Sequence, residues 1–147
     1  MNPFFSTRVL TLMSAGIAIN MTLGQVASLL KLPIFLDSIG SFVVALLAGP
    51  VAAMMTGLIT NLLWGLVSDP IAAAFAPVAA VIGLVAGLCA RAGWFRSLPQ
   101  AMLSSVVITL AVVIVATPIR TYLFGGVTGS GADLLVPFMH AIATNLL

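Results

Sequence analysis

Long apolar blocks separated by short polar junctions run the length of this chain: residues 9–30, 37–48, 51–67, 71–90, 99–117 and 132–147. A helix crosses the hydrocarbon core of a bilayer with about twenty residues, within a range of roughly 17–25. Backbone polar groups must be satisfied within the segment once water is gone, so each block is predicted to be a helix. The junctions carry the stop signals: Lys31-Leu32-Pro33, Gly49-Pro50, Ser68-Asp69-Pro70 and Arg91-Ala92-Gly93. Pro118 bends or ends the fifth block, and a glycine-rich stretch over 125–131 leads into the sixth. The pattern predicts an all-α integral membrane protein, a six-transmembrane-helix bundle forming one domain over residues 1–147. Two blocks depart from simple spanning helices. The second is too short to cross unaided and must tilt or lean on its neighbours. The sixth runs into Leu147 without a terminating signal, which predicts a truncated helix.

Composition agrees with that pattern. Apolar residues make up 62% of the chain and charged residues 5%, against roughly a quarter charged in a water-soluble domain. Lipid is therefore the expected solvent. The first block is too long for a signal-peptide core and lacks a convincing cleavage site, so it reads as the first transmembrane helix. A net charge of +2, with no basic run and no aromatic-interleaved patch, gives no footing for a nucleic-acid partner. Cys89 is the single cysteine, which excludes an internal disulfide and a multi-cysteine metal site. A packed apolar thiol is its expected state.

Charge changes the picture most through its placement. With the N-terminus inside, Arg8, Arg91 and Arg96 are cytoplasmic while Lys31 and Arg120 are outside, the orientation favoured by the positive-inside rule. Asp37, Asp69 and Asp133, the only acidic residues, then all fall in outer junctions. Ionisable groups gathered at one mouth predict a place that holds a solute.

Polar residues within membrane helices have partners or a task. Asn20, near the middle of the first block, fits either a helix-to-helix hydrogen bond or a solute contact. Asn61 and Trp64, three residues apart, are expected to share a helical face. An amide beside an indole near the mouth suits an aromatic solute, and interfacial anchoring is the other role for Trp64. Asp69 caps that helix end. Lys31, Pro33, Phe35 and Asp37 form either a loop folded over a pocket or a short solvated turn. Arg120, followed by Tyr122, can grip a carboxylate or phosphate bidentately or pair with Asp133. His140 fits a ligand contact, a proton-sensitive group or a packed side chain, and alone it makes no metal site. Three pairs, Ser14-xxx-Ala18, Ala72-xxx-Ala76 and Gly83-xxx-Gly87, have the spacing that lets helix backbones approach closely.

Catalytic sets are missing from the sequence. It contains no HExxH, no phosphate-binding glycine loop and no glutamate, and neither Gly40-Ser41 nor Gly129-Ser130-Gly131 offers the setting of an intramembrane serine protease. No enzyme, no cofactor and no metal is expected.

The run Leu32-Pro33-Ile34-Phe35-Leu36-Asp37-Ser38-Ile39-Gly40, closing in Ala48-Gly49-Pro50 and followed by Met54-Met55-Thr56-Gly57-Leu58-Ile59-Thr60-Asn61-Leu62-Leu63-Trp64-Gly65, resembles the substrate-binding subunits (S components) of energy-coupling factor (ECF) transporters. The order and lengths of all six blocks match that family, with the motif-like region confined to residues 32–65. The resemblance implies a six-helix subunit of a bacterial or archaeal cell membrane, N-terminus cytoplasmic. It would capture a vitamin or related micronutrient at the outer face and dock on a membrane coupling protein driven by two cytosolic ATPases. Substrate binds at the mouth, the loop closes, and the subunit reorients in the bilayer as ATP is hydrolysed. Carried onto this chain, the family's substrate-binding positions are Phe35, Asp37, Asn61, Trp64, Asp69, Arg120, Tyr122 and His140. The family's coupling surface includes an alanine-x-x-x-alanine pattern on helix one, for which this chain offers Ser14 and Ala18. Two other readings stand beside the importer: a membrane sensor module of the same fold, and a scaffold subunit whose polar mouth residues are only anchors.

Overall fold

The first helix opens where Ser6 accepts the amide of Val9 on its hydroxyl, the ordinary N-cap device for an unpaired first-turn donor. In the computed structural model, which describes residues 6–31, 36–68 and 70–124, α1 spans Thr7–Leu29, α2 Ile39–Ala48, α3 Pro50–Val67, α4 Pro70–Ala74, α5 Ala76–Arg91 and α6 Leu98–Phe124. No strand occurs among the described residues. Among the described residues, three helices are long and apolar enough to cross a membrane: Thr7–Leu29, Pro50–Val67 and Leu98–Leu123. At 1.5 Å per residue, the ten residues of α2 reach only about 15 Å, half a hydrocarbon core. Gly49, at φ 94°, makes the turn from α2 into α3, and Pro50 takes the first helical position.

Two boundaries differ from the sequence expectation. Block 71–90 is not one helix but two, broken at Phe75. Pro77 has no amide hydrogen to donate to the Ala73 carbonyl, and its ring disfavours the helical conformation before it. Ala72 and Ala76 consequently lie on different helices and do not form one small-residue face. The fifth block does not stop at Thr117 either; α6 continues through Pro118 to Phe124. The bond lost there is the one to the carbonyl of Ile114, and membrane helices tolerate such a proline when local groups readjust. The sixth block, 132–147, lies outside the described residues.

Close approaches fix the topology. A Cβ added at Gly16 would stand 3.1 Å from Thr56 Cγ2, Asn20 reaches Thr60, and a Cβ at Gly24 would stand 3.3 Å from Trp64 Cζ2. Each step along α1 is matched by an equal step along α3, so these helices run parallel. Gly16 meets Val44, Asn20 meets Gly40 and Ser41, and Gly24 meets Asp37, so α2 runs antiparallel to α1. On the other side of α3, Gly57 meets Ala79, Gly83 meets Ala53, and Gly87 meets Pro50, so α5 runs antiparallel to α3. Gly83 and Gly87 therefore act as the small-residue spacing predicts. α6 packs on α5 through Ser104 and Ile108, its buried residues.

The interior is small and polar while the surface is large and apolar. Fully buried side chains of any size are Val44, Asn20, Thr56, Thr60, Ser41 and Ser104, whereas Leu66 is 84% and Ile114 71% exposed. So much exposed apolar surface would be a liability in water and is the normal boundary in lipid. At the centre, Asn20 joins three helices. Its Oδ1 accepts from the amides of Gly40 at 2.7 Å and Ser41 at 3.3 Å, and its Nδ2 donates to Ser41 Oγ at 2.9 Å and Thr60 Oγ1 at 3.2 Å. Gly40 and Ser41 are the second and third residues of α2, and Ser38, the local N-cap position, makes no side-chain cap. Asn20 thus supplies from α1 the cap that α2 lacks.

Replacing Asn20 by Leu strands two buried α2 amides and the Ser41 hydroxyl and removes a donor from Thr60 Oγ1; a loss of about 1–3 kcal/mol is expected, seen as a lowered thermal midpoint in detergent. Gly83→Val drives a side chain into the Ala53 carbonyl and the Met54 amide. That overpacking is expected to cost about 1–3 kcal/mol as well. Ser14→Val, on an exposed position, is expected to leave the midpoint near wild type in the same assay.

Candidate solute-binding site at the Asp37 end

The alternating helix directions sort the charged side chains. The start of α1, the end of α2 and the end of α5 share one end of the bundle. It holds Arg8, Arg91, whose guanidinium lies over Gly49, and Arg96, which folds over Gly93. The opposite end holds Lys31, Asp37 and Arg120. The described ionisable groups thus sort as the junction count predicts, with Asp69 and Asp133 outside the described residues.

At this second end Gly24 brings α1, α2 and α3 together. A Cβ built on it would lie 3.2 Å from Asp37 Cβ and 3.3 Å from Trp64 Cζ2, so the bare backbone of Gly24 is the floor between the carboxylate-bearing turn and the indole. Asp37 is half-buried just ahead of α2, with the Ser38 hydroxyl donating to its Oδ1 at 3.5 Å. Burial pushes its carboxyl above the ordinary value of 3.8, against smaller opposing contributions from its backbone hydrogen bond and from Ser38. Trp64 is half-buried as well.

Asn61 does not share the Trp64 face in the way its spacing suggests. Thr56, Thr60 and Trp64 form the row that meets α1, while Gly57, Asn61 and Gly65 form the next row, turned to α5 and α4. Asn61 is half-buried and makes no side-chain hydrogen bond among the described residues. It lies one turn deeper than Trp64, on the α4–α5 side.

Arg120 and Tyr122 sit on the helical extension beyond Pro118. The Arg120 guanidinium carbon lies 5.8 Å from the centroid of Phe75, a cation–π contact that ties α6 to the α4–α5 turn. Two residues further on, Tyr122 points away and is 87% exposed, so the structure does not bring it together with Arg120. Phe35, Asp69 and His140 lie outside the described residues. Ser14 and Ala18 are both exposed on α1, among the described residues. Asn20, the first-block residue open to either role, is fully engaged in packing. Gly24 and Phe75 are the site residues that sequence reasoning passes over; Gly24 had a signal in the spacing Gly16-xxx-Asn20-xxx-Gly24, and Phe75 had one in its position two residues before Pro77. No group of three or more metal-ligating side chains occurs among the described residues.

Comparison with known proteins finds no matching family model, no matching curated protein and no matching solved structure. The chemistry of the site is therefore read from its own residues. It pairs a half-buried carboxylate with an aromatic face, and an unengaged amide lies nearby.

Because the native carboxyl of Asp37 binds its proton more tightly than an unfolded aspartate, the native state carries more protons above the ordinary value of 3.8. Stability is therefore expected to fall as pH rises from about 4 through the raised native value, then to level off. Asp37→Asn should flatten that slope in a thermal-unfolding series from pH 4 to 8.

Proposed function

We propose that this chain is the solute-binding subunit of an ATP-driven importer of the ECF type, taking a vitamin-like micronutrient at the Asp37 end. The observation that carries the reading is the meeting of Asp37, Gly24 and Trp64 at one end of an up-and-down bundle whose other end holds Arg8, Arg91 and Arg96. A cytoplasmic arginine end follows the positive-inside rule and sets the Asp37 end outside. Within the motif-like region 32–65, residues 39–65 build the short α2, the Gly49–Pro50 turn and the α3 seam. Ser14 and Ala18 offer a small-residue face on α1 where a membrane coupling protein can approach closely. Under this reading the subunit performs no chemistry: it binds, and two cytosolic ATPases acting through the coupling protein drive release inward.

Affinity purification of the tagged chain from its source cells is expected to recover a membrane coupling protein with two ATPase subunits. Ala18→Trp, on the exposed face, should reduce that recovery at least tenfold without lowering the thermal midpoint. A wild-type chain that emerges alone, or with a signalling partner, overturns the importer.

A further inference from the structure

Resting on the solute-binding reading of the Asp37 end, the geometry points to a positively charged organic solute, seated between the Asp37 carboxylate and the Trp64 indole. The charge distribution carries this. All five Lys and Arg residues are described, and none forms an ion pair with Asp37. Three of them lie at the far end. Lys31, exposed at the end of α1, and Arg120, held over the Phe75 ring, are the two at the near end. Among the described residues, the elements packed against Asp37 present only uncharged groups to it: Gly24 from α1, Ser38 at the start of α2 and Trp64 from α3.

A carboxylate drawn partly out of water needs a compensating charge or hydrogen bonds. A hydrogen bond from its own backbone and the weak 3.5 Å contact from Ser38 offset only part of that burial. A cation satisfies the carboxylate, and the adjacent indole adds to the attraction, because the face of tryptophan is the best aromatic surface for a positive charge. Anionic solutes would meet an uncompensated like charge. Neutral solutes could return a hydrogen bond to Asp37 but no charge. Gly24 gives the pair its geometry: an alanine Cβ there would already stand 3.2 Å from Asp37 Cβ and 3.3 Å from Trp64 Cζ2, and a bulkier side chain would push between them.

The test uses the full chain in detergent with Trp94→Phe, which leaves Trp64 as the only tryptophan. Fluorescence is titrated with the permanent cations 1-methylnicotinamide and benzyltrimethylammonium, with neutral nicotinamide and with anionic nicotinate, each corrected against free N-acetyltryptophanamide. Saturable change with at least one cation, at least tenfold tighter than nicotinamide and with nicotinate weakest, is the expected result. Asp37→Asn should weaken the cation at least tenfold without lowering the variant's thermal midpoint. Equal or tighter binding of nicotinamide or nicotinate overturns the charge assignment but leaves solute capture at this end standing. Saturable binding that Asp37→Asn does not change also overturns it. Absence of a saturable response to both cations overturns the assignment too, and the importer itself fails only when the coupling module is also not recovered.

Discussion

Four hydrogen bonds converge on the Asn20 amide, and the arrangement of α1, α2 and α3 depends on them. An amide has two donors and one oxygen able to accept twice, and here all four are used. Each bond is individually modest, since interhelical hydrogen bonds in membranes are worth about 0.6 kcal/mol on average. Their joint effect is positional. α2 is too short to span and begins without a side-chain cap of its own, so its first amides would be orphaned at the depth of the bilayer. Asn20 satisfies them from a neighbouring helix, and in doing so fixes both the depth and the rotation of α2. That placement sets Asp37, three residues before Gly40, against Gly24.

The rest of the bundle is arranged so that backbones can come near enough for such short side chains to reach. Gly16 against Gly40, and Gly83 and Gly87 against Ala53 and Pro50, bring neighbouring helices into direct backbone contact. With lipid as solvent there is no hydrophobic drive to press helices together, so dispersion between closely fitted surfaces must do so. This accounts for a core of alanine, glycine, serine and threonine under a skin of leucine, isoleucine and valine. It also explains why Thr56 and Thr60 bury their hydroxyls without strain: each donates to the carbonyl four residues back, at 2.8 and 2.7 Å.

Much of this is legible in the sequence where a single residue type dictates local geometry. Gly49-Pro50 marks the end of α2 and the start of α3 because one residue tolerates positive φ and the other cannot continue a helix. The Ser68-Asp69-Pro70 junction ends α3 for related reasons. Pro77 is overlooked because the apolar pattern runs through it unbroken, although its missing amide is what divides α4 from α5. Pro118 misleads in the opposite sense, since one absent hydrogen bond in a long apolar helix does not end it. The role of Asn20 is hidden for a different reason: its partners Ser41 and Thr60 are 21 and 40 residues away, and only tertiary packing brings them within reach. The pairing of Asp37 with Trp64 is likewise legible only as two polar features at one mouth; the glycine that joins them belongs to a third helix.

The layers beneath that mouth bear on how a bound solute could leave it. One turn below Trp64 and Gly24 lies the layer of Asn20, Ser41 and Thr60, buried and hydrogen-bonded throughout. One turn further down, Gly16, Thr56 and Val44 close together, with Thr56 and Val44 inaccessible to solvent. To pass between α1, α2 and α3, a solute at the Asp37 end would have to break the Asn20 hydrogen bonds and pull apart the close contacts of Gly16 with α2 and α3. The energy of those contacts is what holds α2 in the bilayer, so opening that route would dismantle the site that bound the solute. Motion of the whole subunit avoids this conflict, because it leaves those contacts closed and turns toward lipid a lateral surface that is mostly apolar among the described residues. The same packing that builds the mouth therefore disfavours a passage between α1, α2 and α3.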